Sequence, residues 1–358
     1  MRVLMLTTDL RLGGAERAII NTVQCLRQMG ITCAVAGLFE GTEGRGKARR
    51  VLEAEGFPVF CARMDRPRDA WRLWRLRRFV VDWAPDLIHA HLFHGHLAAA
   101  TLALTGVRAP SVWSYHAIAP RRWPLRRAFY RLLKGLGGTH VYVSAAVRRY
   151  QRRTAGAAVR ERVIHNGIEL APFLDVRPVP GSVFGAVGRL VPEHKGFDVL
   201  IRAFARLACH DAEPSLKIAG DGPHRAALER LAREERVAER VEFAGFVDDV
   251  AGFLAEVNVF VNPSRWEAFG TTLVEGMAAG LPCIGSRVHG LSEIGGRFVR
   301  WVRPGDVDGL HRAMRELVRV ERPAGEVAEQ RDYVGRRFSR ERMARDYLET
   351  YLSERAGR

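Results

Sequence analysis

Residues 263–282 read PSRWEAFGTTLVEGMAAGLP, and this stretch decides the fold class. Before it, residues 257–261 are a short run rich in β-branched side chains, the pattern of a buried strand. After it, Gly270 and Thr271 open a helix over residues 271–279 that Gly280 and Pro282 stop. A strand, a loop and a helix start in that order build an α/β crevice, where helix amides and the helix dipole favour an anion. Glu267 lies in the loop and Glu275 about a turn into the helix, eight positions apart. A carboxylate there repels phosphate but suits hydroxyl groups, because an ionised Glu accepts two hydrogen bonds from a diol. The pattern asks for a ligand with both phosphate and sugar hydroxyls, and a nucleotide-sugar has both.

The Glu-x7-Glu spacing with Phe269 and Gly270 inside it resembles the retaining nucleotide-sugar glycosyltransferases of family 4. The resemblance runs along nearly the whole chain. It implies an α/β protein of the GT-B fold, with two Rossmann-like domains facing each other across a cleft. Residues 1–170 would form the N-terminal acceptor-side domain and residues 171–338 the nucleotide-sugar donor-binding domain. Residues 339–358 would be a helix packing back towards the first domain. The resemblance also implies that Glu267 binds donor-sugar hydroxyls and Glu275 the ribose diol. The backbone of Phe269, Gly270 and Thr271 would meet the sugar and phosphate. Trp266 stands where the family varies, and it has no reading.

Working outward, residues 183–187 form a strand, followed by Gly188-Arg-Leu-Val-Pro-Glu-His-Lys-Gly196 and an amphipathic helix over 197–207. Arg offers phosphate a planar fork and Lys a point charge. By resemblance Arg189 and Lys195 hold the donor diphosphate and stabilise its charge as it leaves. Strands over 215–219 and 241–246 continue the alternation. Residues 171–181, with Pro172, Pro178 and Pro180, read as a linker.

In the first half, residues 2–6 are a strand, Leu12-Gly-Gly-Ala-Glu-Arg17 the turn, and 18–29 a helix. Paired glycines let backbone approach a ligand. The turn is not the Gly-x-Gly-x-x-Gly dinucleotide fingerprint, which disfavours a dehydrogenase. By resemblance Gly13 and Gly14 lie against the donor diphosphate or the acceptor. Glu16 reads equally well as a helix first-turn carboxylate. In Asp86-Leu-Ile-His-Ala-His91, His89 and His91 share one face of a strand, and His94 and His96 follow. No Cys or carboxylate joins these histidines, so they read as a polar lining or as packing rather than as a metal site. Val112-Trp-Ser-Tyr-His116 delivers His116 to a strand's carboxyl end, where open α/β sheets place ligands. The resemblance sets His116 towards donor sugar and acceptor; a structural histidine fits the place too.

A chain of 358 residues exceeds what one core usually supports, so two domains are expected. Five scattered cysteines without a Cys-x-x-Cys pair read as reduced thiols in a cytoplasm. No apolar run approaches the roughly 20 residues that span a bilayer, and the start reads as too short in apolar residues for a signal peptide. The whole net charge of +16 falls in residues 1–170, with 28 Lys and Arg against 12 Asp and Glu; the remainder is 28 against 28. Such asymmetry points to an anionic surface facing one domain, or to a compositional bias towards Arg. Two segments carry the asymmetry. Residues 66–83 hold Arg68, Arg72, Arg75, Arg77 and Arg78 with Trp71 and Trp74. Residues 121–134 hold Arg121, Arg122 and Trp123, then a helix whose Leu125, Ala128, Phe129, Leu132 and Leu133 make an apolar stripe opposite Arg126, Arg127, Arg131 and Lys134, a pattern that an ordinary core-packed helix with a solvated basic face shares. Basic helices with Trp resemble interfacial membrane helices, so an anionic membrane surface is the expected partner of both segments.

The expected protein is a cytoplasmic or peripherally membrane-bound retaining hexosyltransferase. Its donor is a UDP- or GDP-sugar, and its acceptor a lipid-linked or membrane-associated glycan of envelope polysaccharide or lipopolysaccharide. His116, Arg189, Lys195 and Glu267 are its catalytic candidates, with no cofactor and no metal. A soluble transferase or synthase acting on a small acceptor is the alternative within the fold. A basic nucleic-acid-binding protein is the alternative outside it, although no nucleic-acid module is recognised and no nucleic-acid partner is expected.

Overall fold

The structure is a computed structural model and describes residues 1–39, 46–64, 67–118, 124–177, 181–191, 194–208, 214–318 and 322–357. Among the sequence expectations, Arg66, Arg121, Arg122, Trp123, Pro178, Pro180 and Cys209 lie outside the described residues. The chain forms two compact units, Met1–Gly167 with Arg340–Arg358, and Ile168–Ser339. Residues 168–170, expected with the first domain, belong to the second unit: the Ile168 amide donates to the Phe338 carbonyl at 2.8 Å, and Ile168 forms a β-bridge with Ser339.

The first unit alternates strand and helix. Its first part runs β1 (Arg2–Asp9), α1 (Gly14–Gln28), β2 (Thr32–Phe39), α2 (Lys47–Ala54) and β3 (Val59–Cys61). Then come α3 (Leu73–Trp83), β4 (Leu87–His91), α4 (Leu92–Leu104) and β5 (Ser111–Tyr115). It ends with α5 (Pro124–Leu133), β6 (Thr139–Tyr142), α6 (Ala145–Ala155) and β7 (Arg160–Val163). The seven strands are parallel in the order β3-β2-β1-β4-β5-β6-β7. Val3, Leu4, Met5 and Leu6 are all fully buried, as a parallel strand covered by helices on both faces requires.

The second unit repeats the plan. It begins with α7 (Ala171–Leu174), β8 (Val183–Val187), α8 (Phe197–Ala208), β9 (Ser215–Ala219), α9 (Arg225–Glu234) and β10 (Val241–Gly245). It continues with α10 (Val250–Ala255), β11 (Val259–Asn262), α11 (Thr271–Ala278), β12 (Cys283–Ser286) and β13 (Val299–Val302). Helices α12 (Val307–Leu317) and α13 (Ala324–Phe338) close it. Its six parallel strands run β10-β9-β8-β11-β12-β13. Helix α8 buries Phe197, Leu200, Ile201, Phe204 and Leu207 against this sheet, each such side chain contributing about 1.5–3 kcal/mol.

Helix α14 (Arg340–Ala356) belongs to the first unit, although α13 before it belongs to the second. It packs on α1 and places Met343, Tyr347 and Tyr351 in that unit's core.

Helix α5 corrects the expected stripe. Leu125 is 85% and Leu132 74% exposed, and Ala128 is exposed as well. The face turned inward is Arg126, Phe129, Tyr130, Leu133 and Lys134, one position further along the same period. The Arg126 guanidinium lies 4.2 Å over the Phe93 ring, and Phe93 meets Phe129 and Tyr130 edge-on. Lys134 reaches the Tyr142 hydroxyl and lies 4.8 Å over the Tyr115 ring. Long cationic stems on aromatic faces outcompete leucines for this surface. No helix among the described residues is long and apolar enough to cross a membrane.

Candidate functional site

The second unit assembles its candidates at the carboxyl ends of β8 and β11. Strand β11 ends at Asn262, whose amide approaches the Thr272 hydroxyl at 3.4 Å across the mouth of α11. Gly270 caps α11 at φ 109°, a left-handed conformation natural to glycine, and a Cβ there would stand 2.3 Å from Leu291. Thr271 therefore begins a helix whose first amides lie beside the loop that carries Glu267. From β8, the 188–196 loop returns to meet it. Gly196, at φ 66°, abuts the Pro263 carbonyl so tightly that a Cβ would come within 2.1 Å of it.

These contacts bring Lys195 Nζ to 2.6 Å from Glu267 Oε2, with both side chains mostly covered. The His194 carbonyl accepts from the amides of Arg265 and Trp266, at 2.8 and 3.2 Å. Arg265 grips Asp198 with two bonds of 2.6 and 2.7 Å, and Asp198 is held below its ordinary range by that grip against the cost of burial. Glu275 is 5% exposed within α11. Phe269 is buried and meets Phe338 edge-on, so any ligand contact from it falls to its backbone. Arg189 is exposed at the start of its loop. The structure thus joins Lys195 to Glu267 directly, sets Gly270 beside the Glu267 side chain, and carries Thr271 and Glu275 on the helix that follows.

The first unit gathers a different set. Strands β4 and β5 are neighbours, and their ends place His91 Nδ1 2.9 Å from His116 Nε2. Burial pushes His116 down to about 4 and His91 well below the ordinary histidine range, so both rings are neutral near pH 7. One N–H therefore lies between them. Among the described residues, His91 Nε2 and His116 Nδ1 are buried without a partner. Leu92, directly after His91, is held at φ 60°, a strained conformation for a branched side chain. Behind this pair, His89 bonds Tyr351 at 2.6 Å and Ser114 at 2.7 Å, and Ser114 bonds Tyr347 at 3.2 Å. Sequence reading missed this network because two of its members lie on α14. The shared face of His89 and His91 was its only signal. Gly13 caps α1 in an extended conformation with Gly14 as the first helical residue, and Glu16 is nearly buried beside Gly13. Burial pushes Glu16 up to about 7. Among the described residues no cluster of three or more His, Cys, Asp or Glu is placed to hold a metal.

Profiles of known families match both units. Glycosyltransferase Family 4 matches residues 12–171, and Glycosyl transferases group 1 matches residues 181–319. The chain belongs to glycosyltransferase family 4. Over 181 residues it is 36% identical to the lipopolysaccharide core biosynthesis glycosyltransferase LpsE of Rhizobium meliloti, covering 49% of this chain and 52% of that protein. Over 264 residues it is 33% identical to the glycogen synthase of Mycobacterium tuberculosis, covering 68% and 63%. The matches thus span between 52% and 63% of those relatives' lengths. Among solved structures, Anabaena Alr3699/HepE in complex with UDP-glucose superposes with a TM-score of 0.83 at 21% identity, covering 99% of this chain and 100% of that one. Sucrose-phosphate synthase from Thermosynechococcus elongatus superposes at 0.80 and 19%, covering 100% and 99%. The fold is GT-B.

Proposed function

We propose that the chain is a retaining transferase that moves a hexosyl unit from a nucleoside diphosphate sugar to a lipid-linked or membrane-associated glycan. The observation that carries this is the Lys195–Glu267 contact of 2.6 Å beside the start of α11. It sets a cation, a carboxylate and a helix start side by side, the groups that a diphosphate and a sugar need together. The HepE complexes with UDP and with UDP-glucose support a uridine donor, and the name of LpsE supports an envelope glycan as product.

Departure of a nucleoside diphosphate needs charge stabilisation more than proton transfer. Lys195, Arg189 and the amides at Thr271 supply it; Glu267 holds the sugar hydroxyls and Glu275 the ribose. The leaving phosphate takes the acceptor proton, and Arg189, Lys195 and the helix amides give the charge stabilisation that a bound metal would otherwise supply. Gly13, Gly14 and His116 keep the donor- and acceptor-side roles that the family resemblance gives them. The reaction runs at the cytoplasmic face of a membrane. Exposed Trp71, Trp74, Leu125 and Leu132, next to exposed Arg75, Arg78, Arg127 and Arg131, support an anionic lipid surface as partner of the first unit.

A thermal-shift panel of UDP-, GDP- and ADP-sugars tests the reading. The cognate donor at a hundredfold excess over its Kd stabilises the native state by about 2.7 kcal/mol. A melting temperature that no sugar nucleotide raises would refute it.

A further inference from the structure

Trp266 has no role in the reading above, and neither does His289. Their rings lie 4.1 Å apart between centroids at 54°. Both residues are half-buried, and His289 Nδ1 is covered without a partner among the described residues. The backbone of His289 stands at φ 35°, in the left-handed region, one position before Gly290. A non-glycine residue persists in such a conformation only where its surroundings hold it, and such residues gather at ligand clamps.

The surroundings are the donor-side loops themselves. Trp266 is pinned on one side by the amides of residues 265 and 266 on the His194 carbonyl and by the Arg265–Asp198 fork. On its other side stands Glu267, bonded to Lys195 through its carboxylate and to the Gly290 amide, at 3.1 Å, through its carbonyl. Trp266 and His289 are thus the chain neighbours of the two residues, Glu267 and Gly290, whose backbone bond ties this loop together. A carboxylate that takes hydroxyls next to a fixed aromatic surface is the chemistry that recognises a pyranose, whose hydroxyls point outward around an apolar C–H face.

We infer that Trp266 and His289 select the hexose of the donor, their rings receiving the C–H face of the sugar whose hydroxyls Glu267 binds. The inference rests on the reading of this unit as the donor side. It makes the side chain at position 289, rather than the backbone alone, the reason that the strained conformation is kept. Epimers that differ in one axial hydroxyl present different C–H faces, so the ring pair discriminates between them while leaving the nucleotide untouched.

Calorimetric titration of the full chain tests this, with UDP, UDP-glucose, UDP-galactose, GDP and GDP-mannose as probes. Trp266→Ala and His289→Gly are compared with wild type, and Trp266→Phe serves as the conservative control. Free nucleoside diphosphate should bind both variants within about twofold of wild type, while the preferred sugar nucleotide weakens about tenfold and the epimer ratio narrows. Trp266→Phe should keep most of the preference. Unchanged epimer ratios in Trp266→Ala and His289→Gly would overturn the inference. So would equal losses for sugar nucleotide and free nucleotide, because the rings would then act on the loop and not on the sugar. If wild type binds none of the five probes and no sugar nucleotide of the thermal-shift panel raises its melting temperature, the donor-site reading itself fails, and the inference falls with it before any variant is compared.

Discussion

Lys195 Nζ and Glu267 Oε2 stand 2.6 Å apart although 72 residues separate them in sequence. Gly196 lets the two loops close against each other at Pro263, and Gly270, packed beside the Glu267 side chain, opens the helix at Thr271. In the proposed reaction a diphosphate arriving there would compete with Glu267 for the ammonium and free the carboxylate for hydroxyls. Lys195→Ala and Glu267→Gln should each lower kcat/KM by about 10²–10³, the usual loss for one charge-stabilising group. Their melting temperatures should stay within a few degrees of wild type, since partly exposed ion pairs contribute about 1 kcal/mol or less. Near-normal turnover in either variant would remove the pair from the mechanism.

Glu275 is almost fully covered in α11. Truncation there would leave a hole, so the informative change is Glu275→Gln. It should fold normally and lose most of the stabilisation that a nucleotide gives, because an amide replaces one hydrogen-bond acceptor of the ribose diol with a donor. A nucleotide-induced melting shift equal to that of wild type would argue for a purely structural Glu275.

Much of this arrangement is legible from residue order. The run into β11, the positive φ of Gly270 and the start of α11 follow from short-range rules, because strand, turn and helix cap are local events. Other features depend on partners that no local pattern names. Tyr347 and Tyr351 meet Ser114 and His89 across 233 and 262 positions. The inward face of α5 was misread because hydrophobic periodicity treats Arg126 and Lys134 as outward-facing. Their stems instead cover the rings of Phe93 and Tyr115, which are supplied by other elements.

Glu16 supplies a pH test of the first unit. Burial raises it to about 7 from an ordinary 4.5. The native state therefore holds this proton more tightly than the unfolded chain does. The resulting stabilisation is complete below about pH 4.5 and is lost as pH rises through about 7. Glu16→Gln removes the dependence. Relative to wild type, the variant should gain stability between these limits, by about 3 kcal/mol at most. Denaturant melts of both proteins at pH 4.5, 6 and 8 read the difference. A stability gap that does not change with pH would contradict it.

The histidine network titrates in the opposite sense. Burial holds His116 near 4 and His89 and His91 well below their usual range. Stability from these neutral rings is complete above about pH 6.5 and is lost as pH falls towards about 4. Tyr351→Phe, which deprives His89 of a partner, should cost about 1–3 kcal/mol at neutral pH. A melt unchanged by this substitution would mean that the bond contributes nothing.

Exposed leucines on α5 predict lipid binding. Leu125→Gln with Leu132→Gln should leave the melting temperature nearly unchanged, since both side chains are already in water. The same double variant should sediment less with vesicles containing anionic phosphatidylglycerol than wild type does. Equal sedimentation of the two proteins would remove α5 from any membrane contact, and binding of wild type to purely zwitterionic vesicles as strong as to anionic ones would remove the anionic lipid as its partner.

Helix α14 fills the core of the unit that begins the chain, while the whole of the other unit is threaded between them. During synthesis the first seven strands emerge from the ribosome long before Tyr347 and Tyr351 exist to cover His89 and Ser114. The nascent sheet must wait with that flank open, and the middle unit, made of one uninterrupted segment, is free to finish first. A stop codon at position 340 would consequently damage the unit whose remaining residues end at Gly167 and spare the one that ends just before the stop.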